Sequence, residues 1–111
     1  MRFFPSRRAL ALASLSWAVS CGSGAASGPA LRPVAIDAMQ FSPQTIAVRV
    51  GDTVEWNNKD PFPHTVTADN AGFDSGEIPA AGSWKWTARK TGVFPYRCAL
   101  HPTMRGTLVV K

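Results

Sequence analysis

Apolar and polar residues alternate through the middle of the chain with a period of two. In "TIAVRVGDTVEW", Ile46, Val48 and Val50 alternate with Thr45, Ala47 and Arg49, and Val54 and Trp56 carry the pattern past a "GD" step. Successive side chains of a strand point to opposite faces, so this spacing predicts a strand, a turn and a second strand, each half buried. "HTVTA", from His64, reads as a further short strand. "SWKWTARKTGVFPYRC" sets Trp84 and Trp86 on one face around Lys85, turns at "KTG", and then aligns Phe94, Tyr96 and Cys98. "VAIDAMQFSP" opens the folded part and "GTLVVK" closes it; Met39 in the former reads as core filler. No stretch holds a helical period. Short strands broken by Gly, Pro, Asn and Asp predict an all-β fold, an antiparallel sandwich or barrel. Proline has no N–H to give a ladder, so Pro95 predicts an edge position or a bulge for its strand.

The first residues follow a different pattern. "MRFFPSRRALALASLSWAVSC" has a basic start (Arg2, Arg7, Arg8) and an apolar run from Ala9 to Val19. That run is too short to span a bilayer, and residues 1–21 read as an export signal. "SRRAL" loosely fits a twin-arginine signal, with Ala11 where a bulkier residue is usual. "AVSC" resembles a bacterial lipoprotein cleavage site, which would leave Cys21 as a lipid anchor; the alternative is a cut near "GAA" that discards it. Residues 22–33, with "GSGAASG", read as a flexible linker and 34–111 as the folded domain. The expected location is periplasmic, free or tethered to the membrane, in a bacterium.

This leader changes the meaning of the composition. The formal charge is +5, but without the three leader arginines Lys+Arg falls from 12 to 9 against 7 acidic residues. No basic patch with interleaved aromatics remains to suggest nucleic acid. The remaining chain of about 90 residues is short for a self-sufficient core and would gain from a metal or a disulfide. Two cysteines in an exported chain suggest a disulfide first. Cys21 sits at the leader's end, so Cys98 is left without a partner, a liability for a thiol in an oxidising compartment unless something uses it.

"YRCALHPTM" supplies a use. Cys98, His101 and Met104 recur at intervals of three, and His64, the other of only two histidines, ends the proline-stiffened loop "NNKDPFPH". Taken singly, each has a bland reading as a buried thiol, a surface imidazole or core filler. Together, one Cys, two His and one Met are the ligands of a blue-copper electron-transfer site, a trigonal His₂Cys set with a weak axial Met. Thiolate and thioether favour Cu(I) and imidazole serves both oxidation states, so one electron moves with little rearrangement. Zinc is the rival metal, but thioether is a poor zinc ligand.

With "MQFSPQTIAVRVGDTVEWNNKDPFPHTV" and "YRCALHPTMRG", the chain from about Val34 to Lys111 resembles the small cupredoxins, the type 1 blue copper family of plastocyanin and azurin. Its short C-x₂-H-x₂-M loop is most similar to the amicyanin type. The resemblance implies a Greek-key β-sandwich with one copper at one end. It implies His64, Cys98 and His101 as strong ligands, both imidazoles through Nδ1, and Met104 as the axial one. It also implies the far edge of His101 as the electron port, with Pro61, Phe62, Pro63 and Pro102 as an apolar collar. One departure stands out: the family usually has Asn after the first His, where this chain has Thr65. That Asn ties the two copper loops together and its backbone N–H bonds the Cys sulfur, so the reduction potential is the property put in doubt.

The expected function is therefore a one-electron carrier cycling Cu(I)/Cu(II), not an enzyme. Its partners would be redox proteins (a dehydrogenase, cytochrome or oxidase) docking transiently on a monomer. A copper oxidase or nitrite reductase needs further histidines for a catalytic copper, and C-x-x-C-H haem attachment is missing from the sequence. A copper-binding or delivery module without electron transfer would use the same ligands.

Overall fold

The structure, a computed structural model, describes residues 28–111. The leader, Cys21 and half of the linker (22–27) lie outside the described residues. Nine strands follow in order: β1 (Leu31–Asp37), β2 (Gln40–Ser42), β3 (Thr45–Val48), β4 (Thr53–Asn58), β5 (His64–Ala68), β6 (Asp74–Ile78), β7 (Ser83–Thr87), β8 (Gly92–Arg97) and β9 (Arg105–Val110). They form two sheets, β2-β1-β4-β7 and β3-β9-β8-β5-β6. The all-β sandwich expected from the alternation is present. β1 takes in Leu31, Arg32 and Pro33, which the composition had suggested as linker.

Both sheets turn their alternating apolar residues inward. Val34, Ile36, Val54 and Trp56 of the first meet Val66, Tyr96 and Leu108 of the second and Cys98 just past β8, all fully buried. Burying each such aliphatic side chain is worth about 1.5–3 kcal/mol before ordering costs. Trp56 sits at the centre, with the Tyr96 ring across the sandwich at 5.6 Å, edge to face, and Trp84 and Phe73 at 5.6 and 5.8 Å. Trp84 and Trp86 on the edge strand β7 are half buried against this cluster. Burial pushes the Tyr96 phenol up to about 12, with the neighbouring Trp56 indole N–H opposing the shift.

Several expectations need correction. The two strands of "TIAVRVGDTVEW" do not pair with each other. β3 runs parallel to β9, and β4 runs parallel to β1, so the sandwich is mixed rather than antiparallel. The "GD" step is a corner between sheets. There Asp52 accepts the Arg49 and Ala30 N–H groups, both at 2.9 Å, and Gly51 takes φ 98°. Val50 lies past the end of β3 and is 48% exposed. Alternation reveals which face is buried but not which strand lies alongside.

Met39 is no core filler: it is 36% exposed at the tip of the β1–β2 hairpin. Both tip residues have positive φ, Ala38 at 51° and Met39 at 62°. Such tips match strand twist but normally use Asn or Gly.

Pro95 is neither at an edge nor in a bulge, because β8 is central in its sheet. Its β9 side is fully paired, Pro95 facing Thr107. On the other side β5 reaches only as far as Ala68, opposite Tyr96, and Asp69 then donates its N–H to the Pro95 carbonyl at 2.8 Å. The missing N–H therefore falls where the β5–β8 ladder ends, opposite the first residue after β5.

Candidate metal centre

The ends of β4 and β8 and the start of β5 meet at one end of the sandwich. The loop between β4 and β5 is pinned by the buried Asn58, whose side-chain amide donates to the Phe62 carbonyl at 2.9 Å and the Ile78 carbonyl at 3.0 Å. Its side-chain oxygen accepts the Asp60 N–H at 3.0 Å. Pro61 and Pro63 restrict the intervening backbone. The loop thus delivers His64, fully buried, at the first position of β5.

Asp60 was missed by sequence reasoning, although it stands four residues before His64. It lies 2.7 Å from His64 Nε2 and also accepts the N–H groups of Ala38 at 2.8 Å and Met39 at 3.0 Å. The carboxylate therefore holds both positive-φ residues of the hairpin tip as well as the imidazole. Burial works to raise the Asp60 pKa, but the hydrogen bonds from Met39, His64 and Ala38 outweigh it and hold the carboxyl below its usual range. A carboxylate only accepts, so the Asp60 contact assigns the proton to Nε2 and leaves the Nδ1 lone pair facing inward.

The C-x₂-H-x₂-M spacing has a backbone cause. His101 N–H donates to the Cys98 carbonyl at 3.2 Å, and Met104 N–H donates to the His101 carbonyl at 2.9 Å. These are two consecutive turns, each closing over three residues. Cys98 N–H then donates to the Met104 carbonyl at 3.1 Å and shuts the loop into a ring. Cys98 is fully buried, Met104 nearly so, and His101 is partly exposed.

Cys98 Sγ lies 3.6 Å from His64 Nδ1 and 3.8 Å from His101 Nδ1, and these three atoms all fall within 4.8 Å of one another. An ion bonded to sulfur at about 2.3 Å and to nitrogen at about 2.0 Å, at a roughly trigonal angle, spaces those atoms by about 3.6–3.8 Å. The donor set fits one ion. Phe62, 39% exposed, packs over both imidazoles, 5.1 Å from His64 and 6.0 Å from His101 between ring centroids. Pro61, Pro63 and Pro102 are also exposed.

Thr65 carries both contacts expected of the usual Asn. Its N–H points to Cys98 Sγ at 3.3 Å, and its hydroxyl accepts the Ala99 N–H at 2.7 Å. The tie between the two loops survives with a shorter side chain. Among the described residues Cys98 is a buried free cysteine.

A family model described as the cupredoxin-like domain matches residues 9–110. Amicyanin of Paracoccus denitrificans is 31% identical over 83 residues, and that of Paracoccus versutus 30% over 83. In both cases the match takes in 70% of this chain and spans 63% of the relative's length. Among solved structures, a methionine-to-alanine variant of amicyanin in the Cu(I) form superposes with a TM-score of 0.69 at 31% identity, covering 73% of this chain and 82% of that one. A copper-containing nitrite reductase from Thermus scotoductus gives 0.68 at 25% identity, covering 72% of this chain but 22% of that one. Sheet order, the site at one end of the sandwich and these matches agree: the chain belongs to the cupredoxin-like domain family.

Proposed function

We propose that the protein is a type 1 copper carrier that passes single electrons between redox proteins. The observation that carries this reading is the convergence of two Nδ1 atoms and one thiol sulfur, two of the three side chains fully buried. His64 and His101 would hold one copper through Nδ1, Cys98 through Sγ, and Met104, tied by its backbone to both Cys98 and His101, would be the weak axial ligand. Bound there, copper supplies a one-electron couple between Cu(I) and Cu(II). The rest is the chain's work. Asp60 and the Phe62 ring fix the His64 imidazole, the Thr65 N–H holds the sulfur, and the closed 98–104 ring holds the other donors. Ligands held this way relax little when the ion's charge changes.

His101, partly exposed beneath the Phe62 rim, is the route for electrons, and partners would dock weakly there. Both histidines of the chain are used by the one centre, which supports a carrier over an enzyme with a second copper. The basic start and short apolar run of the leader support export to the periplasm, with residues 1–21 as the signal, residues 22–33 as a linker, Cys21 as one candidate for a lipid anchor, and a monomer in solution.

Loading the purified protein with Cu(II) tests the reading. An intense blue charge-transfer absorption is expected, reversibly bleached by a reductant and missing in Cys98→Ser. A colourless copper complex would overturn this coordination. Blue colour with sluggish electron exchange against a reduced cytochrome would instead favour copper delivery.

A further inference from the structure

The Thr65 hydroxyl that grips the Ala99 amide is itself the end of a longer chain of hydrogen bonds. It lies 3.0 Å from the Thr67 hydroxyl, which donates to Asp74 Oδ1 at 3.2 Å. Simple chemistry sets the direction of every link. A backbone N–H can only donate, so the Thr65 oxygen accepts from Ala99. A carboxylate can only accept, so the Thr67 proton is spent on Asp74. The one proton left between the two hydroxyls is that of Thr65, and it goes to Thr67. The chain runs without a break from the Ala99 amide, beside Cys98, to an exposed acid on β6. Each hydroxyl both accepts and donates, so each polarises the next.

The backbone is shaped to allow this. Thr65 and Thr67 are two apart on β5 and so share the face opposite Val66. Against β6 they pair with Glu77 and Asp74, a step of two on one strand and three on the other. That bulge is accommodated by Gly76 at φ 64°, and its N–H donates to the same Asp74 oxygen at 3.0 Å. Without the extra residue, Asp74 would not stand opposite Thr67.

We propose that Thr67 and Asp74 are positioning residues for the metal loop: the relay Asp74–Thr67–Thr65 holds the Ala99 amide and thereby the placement and electron donation of the Cys98 sulfur. The consequence for copper rests on the function proposed above; the grip on Ala99 does not. With the relay cut at Thr67 or Asp74, the Thr65 oxygen stays in place but is no longer polarised by its neighbours, so it holds the Ala99 N–H less strongly, and a freer donor beside the sulfur draws electron density from it. Hydrogen bonding around the Cys sulfur tunes a blue-copper potential, and less donation favours Cu(I).

The test uses the whole domain and two readouts. In the metal-free protein, amide exchange followed by NMR should be about fivefold faster at Ala99 in Thr67→Val and Asp74→Ala, with the neighbouring Cys98 amide unchanged. Thr67→Ser, which keeps the hydroxyl, should restore the wild-type rate. In the copper-loaded protein, Thr67→Val should raise the reduction potential although it alters no charge. Glu77→Gln removes a charge from the same strand and no relay atom, and should shift the potential less than Thr67→Val does. Unchanged Ala99 exchange in both Thr67→Val and Asp74→Ala overturns the proposal, as does faster exchange throughout the domain. So does a Glu77→Gln shift equal to that of Asp74→Ala with Thr67→Val at the wild-type potential. A colourless wild type would overturn the copper reading alone, and the exchange rates would still decide the relay.

Discussion

Asp60 joins three things that the sequence presents as unrelated: an acid in a loop, a hairpin tip of Ala38 and Met39, and a histidine. Its carboxylate accepts hydrogen bonds from Ala38, Met39 and His64. Because it pairs with Nε2, it selects the tautomer whose Nδ1 is free for a metal, and such partners are worth roughly 10–100-fold in metal affinity. Asp60→Ala is therefore expected to weaken metal binding by about that factor in a competition titration. The same change strips acceptors from two strained residues of the tip. An unchanged affinity would show that the Asp60 contact does not orient the imidazole.

The pairing of β8 with β9 shows how an element constrains its sequence. Tyr96 of β8 stands opposite Gly106 of β9, and the Tyr96 ring occupies the space that a side chain at 106 would need. Only glycine lets the ring lie there and meet Trp56 and the Phe41 ring, 4.7 Å away. Gly106→Ala forces this ring to move and should cost about 1–3 kcal/mol in a denaturant titration. Since Tyr96 is two residues from Cys98 and Gly106 two from Met104, the damage should also reach metal binding. The loop between the same strands owes its spacing to two successive turns, which is why the donors recur every third residue.

At the level of the fold, acid stability follows from where three carboxylates are held. Asp52 is lowered by the Arg49 and Ala30 N–H groups, Asp69 by Arg97 and Arg105, and Asp60 as described, each from an ordinary value of 3.8. A carboxyl depressed on folding stabilises the native state above its unfolded pKa, and that stability is lost as pH falls through the folded value. The melting temperature should thus hold steady down to about pH 4 and fall below it. Asp52→Asn, which unties the corner between the sheets, should flatten that fall. Metal acts through mass action: at about 100 times its Kd, it should add roughly 2.7 kcal/mol to the folded state. A melting temperature indifferent to added Cu(II) would contradict a preformed site.

Period-two alternation, four soft donor side chains and their local spacing are written in the order of residues. They were enough to indicate an all-β sandwich or barrel and to single out His64, Cys98, His101 and Met104 as candidate ligands, because strand faces and tight turns are local properties. Which strands lie side by side is not local. The parallel pairs β1–β4 and β3–β9, the place of Pro95 inside a sheet and the exposure of Met39 depend on partners distant along the chain. So do the bonds from Asp60 to the hairpin tip and from Thr65 to Ala99, which span 22 and 34 residues. Such contacts exist only after the two sheets have closed on a common core, since packing brings together groups that no sequence interval connects.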